Sequence, residues 1–289
     1  MKSAEIKCEI CGSTHNNIIL NIEPDKLVKC LDCGFYYKIP LPSENEIIDS
    51  FSSSASPEDK EEVWRLSKDK LFKEGLKKIG RLVKTKNKLL DVGCGHGYFL
   101  HLSQGDGWKE VAGMEISQTA AEFAKERFGI NVYNKTLRET AFNENEFDCV
   151  TLWGVLYLIR HPVSEIKEIY RILKPGGILF IRITNANFHV FWAKKRWLTS
   201  IFGIYPEVLH AFEFSPALIK KILTDCGFEV LSIKNSRPTS GDPYGTSKYL
   251  KSWFVCLAKS SVYLFSECVR ILSFGMTFTG SAIEVVAIK

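Results

Sequence analysis

The run Leu89-Leu90-Asp91-Val92-Gly93-Cys94-Gly95-His96-Gly97-Tyr98-Phe99-Leu100 constrains this chain more than any other segment. It is an apolar strand that ends in an acid and then in three alternating glycines. Glycine lets the backbone turn through conformations closed to other residues and lets a ligand approach where a Cβ would stand. Asp91 puts an acceptor at the carboxyl end of the strand, the edge at which open α/β sheets bind their ligands. The spacing differs from the dinucleotide fingerprint, whose glycines are separated by one and then two residues and whose pyrophosphate rests on a helix N-terminus. A cationic or neutral nucleoside suits this loop better than a phosphate does. The next apolar run, Val111-Ala112-Gly113-Met114-Glu115-Ile116, ends in an acid where a βαβ unit would hold a ribose diol. Each piece alone also suits a tight turn or a solvated strand end; their order reads as a nucleoside pocket.

A second pattern lies at the N-terminus, where Cys8-Glu9-Ile10-Cys11-Gly12 and Cys30-Leu31-Asp32-Cys33-Gly34 form a pair of CxxCG knuckles at a zinc-ribbon-like interval. A two-residue gap lets both sulfurs of a knuckle face one centre, so Cys8, Cys11, Cys30 and Cys33 can close a tetrahedron around zinc. A pair of disulfides or four unremarkable cysteines are the alternatives; the glycine repeated after both knuckles speaks against either, and a chain without secretory features further disfavours disulfides. With four protein ligands the zinc would keep no open position and would act as a structural staple. Cys94, Cys149, Cys226, Cys256 and Cys268 fall in or near apolar segments and read as buried, inert thiols. Phe35-Tyr36-Tyr37 beside Lys38 suits docking of the ribbon onto a larger domain better than stacking on bases. The proline- and serine-rich stretches at 40–43 and 50–57 read as linker.

The glycine loop, Glu115, Phe147-Asp148-Cys149-Val150-Thr151-Leu152-Trp153 and Arg171-Ile172-Leu173-Lys174-Pro175-Gly176-Gly177-Ile178 together resemble the class I S-adenosylmethionine-dependent methyltransferases, in the subgroup that modifies small molecules. His210-Ala211-Phe212-Glu213-Phe214-Ser215-Pro216 and Leu223-Thr224-Asp225-Cys226-Gly227-Phe228 extend the resemblance, which runs from about residue 70 to 289. It implies an α/β, Rossmann-like, seven-stranded, mostly parallel sheet whose last strand, at 281–288, is antiparallel. It implies S-adenosylmethionine as cofactor, held by Asp91, Gly93, Cys94, Gly95, Gly97, Tyr98, Glu115 and Ile116, with Leu137 near the adenine and Trp153 and Gly154 near the methionine end. The expected organisation is a zinc ribbon over 1–42, a linker with the start of a covering helix over 43–69, and a methyltransferase domain over 70–289 with a lid insertion at about 185–214. Proline and paired glycines at 175–177 are expected to stop a helix and turn the chain into the fifth strand.

Methyl transfer from a sulfonium needs an aligned nucleophile above all, and a hydroxyl acceptor benefits from a base. His210 and His161 are the candidate bases, since histidine titrates near neutrality. Related enzymes commonly carry an acid and a histidine where this chain has Tyr157 and Leu158, and an acid where it has Gly154; loss of activity with retention of the fold is therefore one reading. The preferred reading is a hydroxyl of a sugar, lipid-linked or secondary metabolite as acceptor, because the lid insertion holds large apolar residues such as Phe188, Trp192, Trp197 and Tyr205. An RNA acceptor is the other alternative; the formal charge of +5 is spread along the chain and neither demands nor excludes nucleic acid. The N-terminus lacks a secretory core and no run spans a bilayer, so a cytoplasmic location is expected. The apolar stretch 251–278 suits a helix packed on the sheet, with a peripheral place on a membrane or a partner as the other readings. Nothing in the sequence sets an oligomeric state.

Overall fold

The computed structural model describes residues 7–43, 46, 57–201, 209–240 and 252–289. Most of the expected linker, the lid residues Phe202 and Tyr205, and the start of the 251–278 stretch lie outside them. The main body alternates strand and helix: β4 (Lys88–Val92), α2 (Tyr98–Gly105), β5 (Glu110–Met114), α3 (Gln118–Phe128), β6 (Asn131–Tyr133), α4 (Leu137–Thr140), β7 (Phe147–Trp153), α5 (Pro162–Ile172) and β8 (Leu173–Thr184). These are followed by α6 (Ala186–Lys194), α7 (Arg196–Ser200), β9 (Phe212–Glu213), α8 (Pro216–Asp225), β10 (Glu229–Asn235), α9 (Ser252–Leu272) and β11 (Ala282–Ile288). A long helix, α1 (Pro57–Gly80), precedes β4.

The seven strands line up as β10-β11-β8-β7-β4-β5-β6, with β11 antiparallel to both neighbours and β4 to β8 parallel. Helices on both faces explain why β7 is buried at every residue: a central parallel strand has no polar face to offer. Local sequence sets the helix ends. The Ser117 side chain accepts from Ala120 N at the start of α3, and Gly129, in the left-handed region, closes it.

The segment Lys174–Gly177 departs from expectation. No turn separates α5 from the fifth parallel strand: β8 begins at Leu173, directly after the helix. The glycines instead serve a bulge, where β8 advances from Leu173 to Ile178 while β7 advances only from Phe147 to Cys149.

The N-terminal module is a second sheet, β1 (Asn16–Ile22), β2 (Asp25–Cys30) and β3 (Tyr36–Ile39), completed by β9 from the segment that follows β8. Tyr36 and Tyr37 pair with Glu213 and Phe212. Phe35 and Tyr37 are fully buried, and the Phe35 ring lies 5.6 Å from Phe212 and 5.2 Å from Phe214. These aromatics therefore dock the module and are withheld from base stacking. Two other expectations are corrected. Cys268 is exposed, and Cys226 and Cys256 are only half-buried: Cys226 caps the end of α8 at the margin of the core, and Cys256 and Cys268 lie on α9, which is largely exposed. Most of the apolar side chains of α9 are also exposed; the helix touches the body along one narrow side.

The Phe212 side chain is buried against Phe35 in addition to the strand pairing of its backbone, so Phe212→Ala should destabilise the protein by about 3–5 kcal/mol. Chemical denaturation of the variant against wild type measures this, and a loss below about 1 kcal/mol would show that strand pairing suffices to hold the module.

Candidate functional site

A cavity of about 610 Å³ opens at the carboxyl ends of β4, β5 and β7, within the size range of small-molecule sites. Its floor is the glycine loop. Gly93 and Cys94 donate their N–H groups to the Met114 carbonyl at 2.8 and 3.0 Å, and Gly95 N donates to Glu115 Oε2 at 2.8 Å. Gly93 (φ +74°) and Gly95 (φ +52°) occupy the left-handed region, and a Cβ on Gly93 would stand 2.5 Å from the Val155 side chain. The loop can fold this tightly only with glycine there.

Of the residues expected to hold a cofactor, Asp91, Gly93, Cys94, Gly95, Tyr98, Glu115, Ile116, Leu137, Trp153 and Gly154 all line this cavity. Gly97 does not. A Cβ there would stand 2.7 Å from the Ala124 Cβ, so Gly97 serves the close packing of the loop on α3. Cys94 lines the cavity, but its thiol fills the space over Gly113, 2.4 Å from where a Cβ would sit, and burial pushes its pKa up. Tyr98 donates its hydroxyl to Asp69 Oδ1 at 2.6 Å, tying α1 to the loop.

The charged walls carry the chemistry. Asp91 is 1% exposed and accepts from Thr151 Oγ1 at 2.6 Å. Burial pushes it up to about 8, against the Thr151 hydrogen bond and the nearby Lys68 charge. Glu115 also accepts from Ser117 N at 2.9 Å; burial raises its pKa and the backbone donors pull against that rise. Lys68 reaches in from α1 with its ammonium 3.8 Å from the Trp64 ring centre. Desolvation first, then Arg182, brings Lys68 down to about 7, opposed by Asp91. Glu165, at the far wall, is pushed up to about 7 by burial.

The candidate bases separate. His210 lines the cavity, its ring stacked on Tyr157 at 3.7 Å, and its N–H group on the main chain donates to Glu213 Oε1 at 2.7 Å. Burial, then the charges of His189 and Lys38, brings His210 down to about 3, so the ring stays neutral and holds a proton weakly. His161 is not among the cavity walls. It lies at the start of α5 with its ring exposed and Nδ1 3.2 Å from Glu9 Oε2, where it links body and N-terminal module. Sequence reading passed over Lys68 and Glu165. Trp64, Lys68 and Phe72 recur at four-residue intervals, which puts them on one side of α1, and that spacing was the available signal.

Another cleft, of about 740 Å³, lies between α1 and α2 and shares none of the strand-end residues. At the N-terminus the four cysteine sulfurs lie within 4.8 Å of one another, with Cys8–Cys33 at 3.5 Å and Cys11–Cys30 at 3.6 Å. A tetrahedron of Zn–S bonds near 2.3 Å has edges of about 3.8 Å, so this donor set fits zinc. Backbone N–H groups of Ile10 and Cys11 face Cys8, and those of Asp32 and Cys33 face Cys30, as a thiolate site requires.

The parallel sheet, the glycine loop and the acids at successive strand ends define a Rossmann-like nucleoside-binding fold of the methyltransferase type. Residues 64–233 match the family model described as a methyltransferase domain, and the chain belongs to that family, the S-adenosylmethionine-dependent methyltransferases. A ubiquinone biosynthesis O-methyltransferase from Haemophilus ducreyi is 28% identical over 181 residues, covering 58% of this chain and 75% of the relative. The enzyme of that name from Azoarcus sp. is 28% identical over 156 residues, covering 50% of this chain and 66% of the relative. The same fold is found in the complex of the Haloferax volcanii Trm112 methyltransferase activator with a methyltransferase, at TM-score 0.58, 16% identity, 85% of this chain and 97% of that one. An S-adenosylmethionine-dependent methyltransferase from Mesorhizobium loti matches at TM-score 0.51, 13% identity, 74% of this chain and 96% of that one.

In an unfolded chain Asp91 would ionise near pH 4, so the folded state holds its proton through a window in which the unfolded chain has released it. Stability contributed by the neutral carboxyl is fully present below about pH 4 and is lost as pH rises through about 8. Asp91→Asn keeps the acceptor for Thr151 and removes this titration. Denaturation midpoints of the cofactor-free protein should fall less between about pH 5 and about pH 7 in the variant than in wild type, and equal slopes would sink the assignment.

Proposed function

We propose that the chain transfers a methyl group from S-adenosylmethionine to a hydroxyl of a bulky or lipid-linked small molecule. The observation that carries this reading is the continuity of one cavity from the glycine loop and Glu115, past Trp153 and Gly154, to Tyr157, Arg160, Glu165 and His210. Cofactor and acceptor would share a single room. Glu115 keeps lone pairs free for a ribose diol after accepting from Gly95 and Ser117. Leu137 and Ile116 offer apolar surface to the adenine. Asp91 and Lys68 are the groups to meet the ammonium and carboxylate of the methionyl end, whose charges would draw both back to their ionised forms. The names of the curated relatives support a hydroxyl acceptor.

The reaction is a displacement at the methyl carbon: the acceptor oxygen forms the new bond, the C–S pair stays on sulfur, and the hydroxyl proton must leave. Glu165, brought to about 7 by burial, is the wall group best matched to take that proton near neutrality. His210, neutral and stacked on Tyr157, is proposed as a wall of the acceptor site. With His161 outside the cavity, no base role is proposed for it. The division into a zinc ribbon over 1–42 and a transferase domain over 70–289 is part of the same proposal, with zinc held by Cys8, Cys11, Cys30 and Cys33 as a staple without an open position. A cytoplasmic location also belongs to this reading; among the described residues no helix is long and apolar enough to cross a membrane.

Calorimetric titration with S-adenosylmethionine and S-adenosylhomocysteine tests the cofactor half. Micromolar binding is expected, weakened at least tenfold in Glu115→Ala, which removes the expected diol acceptor and costs roughly 1.4 kcal/mol or more. A well-folded protein that binds neither ligand would overturn the reading; binding without methyl transfer to any phenolic, sugar or prenylated hydroxyl in a screen would favour a binding module. Elemental analysis should find one zinc per chain, and Cys11→Ser with Cys30→Ser should remove it while lowering the melting temperature.

A further inference from the structure

The helix α9 is built the wrong way round for a core element. Its 21 residues extend about 31 Å, and Trp253, Leu257, Leu264, Phe265, Ile271 and Leu272 recur at four- and seven-residue steps along one side. These side chains are between 57% and 80% exposed. The narrow inner side is what holds the helix to the sheet. Val255 and Ser266 are buried, and Asn235 Nδ2 donates to the Ser266 carbonyl and to Glu267 Oε1. Its charged residues, Lys259, Glu267 and Arg270, fall outside the apolar stripe by helical spacing, and Glu267 is paired with Arg270. The stripe is thus uncharged along its whole length. Phe274 and Met276 continue it past the helix end, 92% and 79% exposed.

A second segment of the same character lies beside it in the topology. The lid helices α6 and α7 expose Phe191, Trp197 and Ile201, with Lys194, Lys195 and Arg196 exposed among them and no acidic residue between 185 and 201. The lid leaves β8 at Thr184, and α9 lies between the end of β10 and the start of β11. Ala282 pairs with Thr184 and Asn235 with Ile283, so both segments spring from one end of the sheet. That is the end at which the cavity opens. Asn185 Nδ2 donates to the Phe278 and Gly280 carbonyls, and His189 Nε2 meets the Ser281 carbonyl at 2.8 Å, fastening the lid root to the chain that leaves α9.

We propose that the apolar stripe of α9 and the cationic, aromatic lid form one docking surface for an anionic membrane. An uncharged apolar stripe flanked by aromatics and clustered cations is the composition of a segment that lies in the headgroup region without crossing it. The charge also decides against a second copy of this chain as the occupant, since pairing lid on lid would bring like charges together with no acid there to answer them. The surface would set the cavity mouth at the lipid interface. This goes beyond methyl transfer and holds whatever acceptor the cavity takes.

Co-sedimentation of the full chain with vesicles of phosphatidylcholine alone, or of phosphatidylcholine with phosphatidylglycerol, tests it. Wild type should bind the anionic vesicles on the order of tenfold or more tightly than the neutral ones, and added salt should weaken that preference. Leu264→Glu with Phe265→Glu should abolish binding while the melting curve and S-adenosylhomocysteine titration stay unchanged. Lys194→Glu with Lys195→Glu should remove the anionic preference. Failure of wild type to bind either vesicle overturns the proposal. So does wild type that self-associates without vesicles while the Leu264→Glu, Phe265→Glu variant is monomeric, because the stripe would then be a dimer face. Loss of cofactor binding with vesicle binding intact would instead count against the functional reading alone.

Discussion

The grip of the glycine loop on β5 is the constraint on which the rest of the molecule depends. Two successive N–H groups, from Gly93 and Cys94, share the Met114 carbonyl, and a third, from Gly95, reaches the Glu115 carboxylate. This brings the ends of β4 and β5 so close that side chains are excluded on both sides: a Cβ at Gly113 would meet Cys94, and one at Gly93 would meet Val155. The exclusion creates the concavity. Helix α1, His210 and the loop after β7 are then arranged around a floor of backbone with the buried Asp91 and the half-buried Glu115.

Those acids carry an electrostatic cost at the cavity floor. Asp91 and Glu115 are both shifted towards their neutral forms by burial, and Lys68 opposite them is shifted the same way. A ligand that carries its own ammonium, carboxylate and hydroxyl groups would restore the charges by supplying partners that water cannot. A charge-bearing nucleoside suits such a site better than a purely apolar one, because an unpaired buried charge costs several kcal/mol and a hydrogen-bonded partner of opposite charge offsets part of that cost.

The N-terminal module bears on the same cavity. Its β3 pairs with β9, and β9 begins two residues after His210, whose main-chain N–H group is held by the buried Glu213 carboxylate. The imidazole then stacks on Tyr157 at the cavity wall. The module that carries the four cysteines is thereby packed against a segment that reaches the cavity wall, through the aromatic contacts of Phe35 with Phe212 and Phe214.

Much of this was legible in the chain itself. Alternation of apolar runs with helical patterns, glycines at single-residue spacing, acids at strand ends and paired CxxCG knuckles depend on local backbone chemistry, which neighbouring residues settle among themselves. The positions of Asp91, Glu115, Trp153 and the four cysteines follow from that kind of pattern. Other features needed the folded molecule. Whether His161 or His210 faces the cavity depends on where two distant segments meet, and a local motif carries no such information. Pairing of β9 with β3 joins residues about 175 apart in sequence, and the strand is two residues long, too short for any periodicity to announce it. Composition alone also cannot say whether an apolar helix turns its stripe inward or outward; for α9 the spacing was plain, but only packing against β10 decided that the stripe faces out. Local chemistry wrote the strands, turns and ligand-bearing motifs, and long-range packing decided which side chains those motifs share a room with.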